Sequence, residues 1–285
     1  MYTHLISVDQ LQALQGSGAP LMVFDCSFDL SDPAKADAMF AEQRIAGSVQ
    51  AHLDRDLSTH NPQDAVNGGR HPLPKRELFA QTLRRLGFEN TMQAVVYDRN
   101  GANYCGRLWW MLKWAGHEAV AVLDGGLPAW LAAGGAPASG PAPARAPGHF
   151  ELKPELRHWV GTQEVAQHLG QPTQTLIDAR GAPRYRGEVE PLDPIAGHIP
   201  GALNRPFGDN LGPDGRFKSP AQLKTEFAAL LAGRDAAGVV HHCGSGVSTV
   251  PNIIAMELAG YPPVALYAGS WSEWSRTPGL PVAKG

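Results

Sequence analysis

Short apolar runs rich in β-branched residues alternate with longer helical stretches along this chain. In the first half, Leu21 to Phe24, Ala94 to Tyr97 and Ala119 to Leu123 read as buried strands, and Lys75 to Leu86 and Leu108 to Trp114 as helices. In the second half, Thr175-Leu-Ile-Asp178 and Val239-Val240 read as strands, and Asn252 to Leu258 as a helix. Alternation of this kind predicts an α/β fold with a mainly parallel sheet flanked by helices on both faces.

The pattern occurs twice. Leu21-Met-Val-Phe-Asp25 is echoed by Thr175-Leu-Ile-Asp178, each a short strand ending in aspartate. Arg44-Ile-Ala-Gly-Ser-Val is echoed by His198-Ile-Pro-Gly-Ala-Leu, and Ala94-Val-Val-Tyr-Asp98-Arg-Asn-Gly101 by Gly238-Val-Val-His-His-Cys243-Gly-Ser-Gly246. A helical stretch ending in Ala-Gly follows each loop, and Val122-Leu-Asp-Gly-Gly-Leu-Pro-Ala-Trp130 pairs with Ala265-Leu-Tyr-Ala-Gly-Ser-Trp-Ser-Glu-Trp274. Five segments matching in the same order define a domain-sized duplication. Between the copies, residues 136–148 carry four prolines and almost no large side chain, a composition suited to an extended linker. The expected organisation is a non-catalytic domain over residues 1–135, this Pro/Ala-rich linker, and a catalytic domain over residues 149–285. A length of 285 residues suits two domains.

Composition narrows the function. With 43% hydrophobic and 18% charged residues the chain is ordinary globular material. A formal charge of −3 gives no footprint for nucleic acid or an anionic membrane surface, so attraction for an anionic substrate must come from a local pocket. The three cysteines, Cys26, Cys105 and Cys243, are too few and too widely spaced for a disulfide framework or a zinc-type pair. The N-terminal residues lack a basic and apolar leader pattern, and no apolar run approaches membrane-spanning length. These features predict a soluble, cytoplasmic protein with free thiols and no metal or cofactor.

Cys243 carries the chemistry. It follows the strand Val239-Val240 and precedes Gly244-Ser-Gly246 and a helix start. Ligands of open α/β sheets bind outside the carboxyl ends of the strands, and a Gly-rich loop leading into a helix presents N–H groups that favour negative charge. A thiol placed there is set up as a nucleophile; the alternative is a buried structural thiol, the reading that suits Cys26 and Cys105. Where the second copy has Cys243 the first has Asp98, so only the second should be catalytic, the first serving as a wall of the cleft. His241 and His242 point to opposite faces of a strand and make a poor metal pair. Trp271 and Trp274, after the last strand, are candidates for the pocket wall.

The motifs Asp25-Cys-Ser, Leu123-Asp-Gly-Gly-Leu-Pro-Ala-Trp130, Asp178-Ala-Arg180, Gly197-His-Ile-Pro-Gly-Ala202 and Cys243-Gly-Ser-Gly-Val-Ser248 together resemble those of the tandem-domain rhodaneses, and most closely the 3-mercaptopyruvate sulfurtransferase branch. The resemblance spans nearly the whole chain. It implies a ping-pong reaction in which the Cys243 thiolate takes sulfur from a small anionic donor and passes it from a persulfide to a thiol or cyanide, with a thioredoxin-like protein among the candidate acceptors. Gly244, Gly246, Val247 and Ser248 would form the loop whose N–H groups hold the sulfur and donor. Thiosulfate-using members carry basic side chains just after the nucleophile, whereas this chain has Gly244-Ser245. In the mercaptopyruvate branch a serine, a histidine and an aspartate are proposed to relay protons; by position these are Ser245, His71 and Asp54. The bland alternative is that His71 caps a loop and Asp54 pairs with Arg55 or Arg70. Arg184 matches the arginine that binds the donor's anionic group. A second arginine, about nine residues on, is replaced here by Glu190-Pro-Leu-Asp193, and Arg186 and Arg205 are the candidates to stand in for it. Arg180 reads as structural, paired near Asp178.

Three other functions compete. Thiosulfate sulfurtransferase activity would use the same persulfide. A phosphatase would need an arginine where Thr249 stands. A non-catalytic sulfur carrier or binding module would typically have lost the cysteine that this chain keeps.

Overall fold

Five parallel strands form the centre of each repeat in the computed structural model, which describes residues 1–285. In the first, β1 (Leu5–Ile6), β2 (Leu21–Asp25), β4 (Val49–Gln50), β5 (Gln93–Tyr97) and β6 (Val120–Leu123) lie in the order β1-β6-β5-β2-β4. The remaining strands, β3 (Arg44–Ile45) and β7 (Pro137–Ala138), make a separate antiparallel pair. In the second, β8 (Trp159–Val160), β9 (Thr175–Asp178), β10 (Leu203–Asn204), β11 (Val239–His242) and β12 (Ala265–Tyr267) lie in the order β10-β9-β11-β12-β8. Read from the other edge this is the same sequence of strands, so the duplication seen in the motifs is a duplication of topology.

The strands form where the sequence can be buried on both faces. Every residue of β5 and of β11 is buried, as a parallel sheet covered by helices requires. The helix Cys105–Trp114 is buried along its whole length, including Arg107, which donates to the Leu57 carbonyl, and Lys113, whose ammonium lies 5.5 Å from the centre of the Trp109 ring. Helices Val8–Ser17 and Pro220–Leu231 each begin with a reciprocal capping box, Ser7 with Gln10 and Ser219 with Gln222.

Chain contacts divide the molecule into two units that do not coincide with the two halves of the sequence. One contains residues 1–59, 74–156 and 213–216; the other contains 60–73, 157–212 and 217–285. The boundary between the halves thus falls at Leu156 and Arg157, beyond the Pro-rich stretch. That stretch is docked on the first unit rather than free. The Gly140 and Pro141 carbonyls accept from the Arg44 guanidinium, and the Gly148 N–H donates to Arg84 O at 2.7 Å. Poor in side chains, it comes so close that a Cβ at Gly148 would lie 2.5 Å from the Phe88 carbonyl.

The placement of Trp271 and Trp274 departs from the sequence expectation. Both lie in a short helix, Ser270–Trp274, and are core residues of the second unit. Their indole N–H groups donate to Ile195 O and Pro281 O, so their polar ends are used up in packing.

His117, buried against Phe88 and Phe150, is a source of acid sensitivity. Burial lowers its pKa to about 4, whereas an unfolded histidine titrates near about 6.5. Between those values the unfolded chain takes up a proton that the native protein refuses. This contribution is therefore neutral above the unfolded value and destabilises progressively as pH falls toward about 4, by at most about 1.4 kcal/mol per pH unit. The variant His117→Gln should lose less melting temperature than the parent between pH 7 and pH 4.5; equal losses in the two would refute this assignment.

Candidate active site

Cys243 is the first residue after β11, the central strand of the second sheet, and is buried at its carboxyl end. The backbone around it is tied down on one side by the segment after β12. Cys243 N–H donates to Ser270 Oγ at 3.1 Å, Trp271 N–H donates to Cys243 O at 3.0 Å, and Ser272 N–H donates to Gly244 O at 2.8 Å. Ser270 adopts φ +55, a left-handed conformation that costs a non-glycine residue about 1–2 kcal/mol, and its hydroxyl passes the hydrogen bond on to Tyr267 O at 2.9 Å. Gly246 has φ +72, and a Cβ there would lie 2.4 Å from the Ala268 carbonyl, so only glycine lets the loop turn. The helix Val250–Leu258 then begins with Pro251 in its first turn. The amides of Gly244, Ser245, Val247, Ser248 and Thr249 meet no acceptor within the protein, and so are available to a ligand.

What such a loop holds is visible in the first unit. Asp98, at the carboxyl end of β5, stands where Cys243 stands on β11. Its carboxylate is filled by N–H donors of its own loop: Asn100 at 2.8 Å and Ala102 at 3.1 Å on one oxygen, Tyr104 at 2.8 Å and Cys105 at 2.9 Å on the other. Register matches these to Ser245, Val247, Thr249 and Val250. The correspondence extends further: Gly101 and Gly246 have φ +70 and +72, Gly126 and Ser270 have +58 and +55, and Leu127 N–H donates to Asp98 O as Trp271 does to Cys243 O. The first loop is thus a cradle occupied by its own anion. The second has the same form with a sulfur in place of the carboxylate, and of the four matching amides that of Val250 is already engaged, by Val247 O.

Several of the sequence candidates gather around this loop. His71 belongs to the segment 60–73 that packs into the second unit, and its Nδ1 lies 2.8 Å from Ser245 Oγ, both side chains being buried. Arg184 is on the short helix Ala182–Tyr185; Glu190 Oε1 accepts from its Nη2 at 2.6 Å and Asp193 Oδ2 lies 3.5 Å from the same atom. A Cβ added to Gly244 would lie 3.5 Å and 3.7 Å from the two Arg184 Nη atoms, which places the guanidinium directly beside the nucleophile's neighbour. Val247 is buried and Ser248 partly so. Asp54 is in the helix Leu53–Asp56 of the first unit. Arg55 pairs with Asp37, and Arg70 with Asp193.

The two stand-ins considered for the second arginine are elsewhere. Arg186 is exposed and pairs with Glu188. Arg205 is buried between Asn210, Glu226 and the Phe227 ring. Arg180 grips Asp178 and also reaches Glu190 and the Gly197 carbonyl. Sequence reasoning missed Ser270, Arg70, Glu190 and Asp193. Ser270 was signalled by the one departure from Gly-Gly at its position in the repeat, and Arg70 by lying next to His71.

Cys26 and Cys105 are buried in the first unit. Burial, assisted by Asp25 at Cys26 and by Asp98 at Cys105, pushes both of those thiols well up. His241 is held down to about 3 by burial and lies against Met256 Sδ, while His242 faces the other way, toward Tyr267. No group of three or more His, Cys, Asp or Glu side chains is arranged to hold a metal ion.

The rhodanese-like domain family matches residues 7–133 and 161–277, and the chain belongs to that family in duplicated form. A protein of Pseudomonas aeruginosa named a probable 3-mercaptopyruvate sulfurtransferase is 46% identical over 99% of this chain and 98% of its own length. A Mycobacterium tuberculosis protein provisionally named a thiosulfate sulfurtransferase is 38% identical over 99% of this chain and 97% of its own length. Among solved structures, SseA from Escherichia coli, described as a 3-mercaptopyruvate sulfotransferase, superposes with a TM-score of 0.79 at 30% identity, covering 95% of this chain and 100% of that one.

Removing the Asp98 carboxylate would leave three buried N–H donors, of Ala102, Tyr104 and Cys105, unsatisfied, together with the part-buried one of Asn100. At about 1–3 kcal/mol for each such group, partly recovered by relaxation, Asp98→Ala should lower stability by at least about 3 kcal/mol. Urea denaturation measures this; a loss under about 1 kcal/mol would show that the carboxylate is not what holds that loop.

Proposed function

We propose that this protein is a sulfurtransferase that moves sulfur from 3-mercaptopyruvate to a thiol or cyanide acceptor through a persulfide on Cys243. The Cys243 thiolate attacks the donor's sulfur. The donor's carbon–sulfur bond breaks, its electron pair leaves on the three-carbon fragment as the enolate of pyruvate, and Cys243 is left as the persulfide. The enolate then needs a proton. Ser245, hydrogen-bonded to His71, stands beside the nucleophile to deliver it. In the second half-reaction the acceptor attacks the outer sulfur, the sulfur–sulfur bond breaks, and its electron pair returns to Cys243 as thiolate.

The unengaged amides of the loop support both half-reactions by placing N–H dipoles where the thiolate and the terminal sulfur carry negative charge. Arg184, with one edge of its guanidinium bound to Glu190, presents the other toward Gly244 and binds the donor carboxylate. Asp54 as third member of the proton relay follows from the branch's pattern. Acceptors of this reaction are small thiols, cyanide or a thioredoxin-like protein, and a reducing cytoplasm suits a free Cys243. No helix is long and apolar enough to cross a membrane.

The observation that carries this reading is the 2.8 Å contact between His71 Nδ1 and Ser245 Oγ beside an uncharged Gly244. An enolate leaving group needs a proton, whereas the sulfite released from thiosulfate needs none. The thiosulfate alternative is kept alive by the similarly named relative and by the arginines beside the loop.

Two outcomes follow. Cys243→Ala should abolish sulfur transfer from every donor, and residual turnover at the parental rate would remove the persulfide from the mechanism. In steady-state assays with cyanide as common acceptor, kcat/KM should favour 3-mercaptopyruvate over thiosulfate by at least about tenfold, equivalent to about 1.4 kcal/mol; a thiosulfate preference would reverse the donor assignment.

A further inference from the structure

The contact between His71 and Ser245 joins residues 174 positions apart, so something must hold their two segments together. We infer that Ser272 does this: its backbone holds the loop of Ser245, its hydroxyl holds the segment of His71, and Glu273 secures that segment's tip. Both act through His71 and are positioning residues. The inference rests on the proton-delivery reading above.

Four observations carry it. First, the contacts close a ring. Ser272 N–H donates to Gly244 O at 2.8 Å, and Gly244 precedes Ser245. Ser272 Oγ accepts from the Arg70 N–H at 2.9 Å, and Arg70 precedes His71. The 2.8 Å contact of His71 Nδ1 with Ser245 Oγ completes the circuit, so one residue fixes the backbone behind both members. Second, the tip of the histidine segment is fitted to the helix Ser270–Trp274. The Gly68 N–H bonds the Glu273 carboxylate, and a Cβ on Gly68 would lie 3.0 Å from that side chain's Cδ and Oε1. Gly69 has φ +93, and a Cβ there would lie 2.8 Å from the Gly269 carbonyl, so only glycine allows this approach. Third, the segment is braced internally. Val66 N–H donates to Leu73 O at 3.0 Å and Leu73 N–H to Asn67 Oδ1 at 2.9 Å, closing residues 66–73 into a compact loop. Pro72 further restricts the backbone of His71. Fourth, the repeat without a nucleophile lacks both groups. Leu127 donates to Asp98 O as Trp271 does to Cys243 O, so Pro128 and Ala129 stand where the second repeat has Ser272 and Glu273. Proline has neither an N–H nor a hydroxyl, and alanine has no carboxylate.

A proton donor works only within hydrogen-bond reach of its target, and a small misplacement costs a large part of its effect. The Arg70 side chain ties the segment separately to Asp193, so removing the Ser272 hydroxyl should loosen His71 without releasing it.

The test uses two donors whose leaving groups differ in their need for a proton. In a ping-pong reaction kcat/KM for the donor reports the first half-reaction alone. Ser272→Ala keeps the backbone bond to Gly244 and removes the acceptor of the Arg70 N–H. It should lower kcat/KM for 3-mercaptopyruvate by about tenfold to a hundredfold, and for thiosulfate by less than about threefold. Introduced into His71→Gln, the same change should cost less than about a further twofold, because the two residues act as a unit. Equal losses with both donors would make Ser272 a support of the cysteine loop and overturn the proposal, as would an unaffected 3-mercaptopyruvate rate or additive losses in the double variant. Should Ser272→Ala fail to fold, Glu273→Ala leaves the hydroxyl in place and is expected to show the same donor selectivity. The single variant His71→Gln separates the two levels of the argument. If it is not selective for 3-mercaptopyruvate, proton delivery by His71 fails and the positioning role with it. If it is selective and Ser272→Ala is not, only the positioning role falls.

Discussion

A ring of peptide N–H groups turned toward one point at the end of a central parallel strand is the constraint on which the rest of this structure depends. A loop of that form favours negative charge at the point where its dipoles converge. In the first unit the acceptor belongs to the fold, because Asp98 is part of the chain. In the second, Cys243 stands at the matching position. The surrounding features follow from this. Glycine at 246 lets the loop curl, Ser270 accepts a left-handed backbone to anchor Cys243 from behind, and the helix from Val250 begins where the loop's amides end.

Much of this was legible in the sequence because it depends on backbone chemistry. Apolar β-branched runs marked the strands β2, β5, β6, β9 and β11, and glycines beside a cysteine marked the loop. The repeat was visible because Asp98 and Cys243 occur in matching surroundings. The expectation of helices on both faces of two parallel sheets agrees with the structure. What was not legible depends on long-range placement. Trp271 and Trp274 resembled pocket walls because nothing local shows that Ile195 and Pro281 would take up their indole donors. The arginine substitute was sought at Arg186 and Arg205, close in sequence to the missing one, whereas the fold pairs these with Glu188 and Glu226. Pattern reading works where neighbours in sequence decide the outcome.

The charged residues near the loop show why a single arginine needs several carboxylates. Arg184 is oriented by Glu190, which also accepts from the backbone of Leu192 and Asp193, and Arg180 reaches the same glutamate from its pair with Asp178. Side chains this restricted lose little further freedom on binding, so a small anion meets a surface already in its bound form.

The exchange of short segments between the two units bears on how this protein is inherited. Residues 60–73, encoded in the first repeat, belong structurally to the second, while residues 213–216 pass the other way. His71 lies in the exchanged segment and meets Ser245 from there. A gene fragment beginning at the Pro-rich stretch would therefore encode a cysteine loop without the histidine that meets Ser245, and recombination at that join would separate the two even though it spared both sheets. The two halves are similar in plan, yet the second sheet's unit includes a segment encoded in the first.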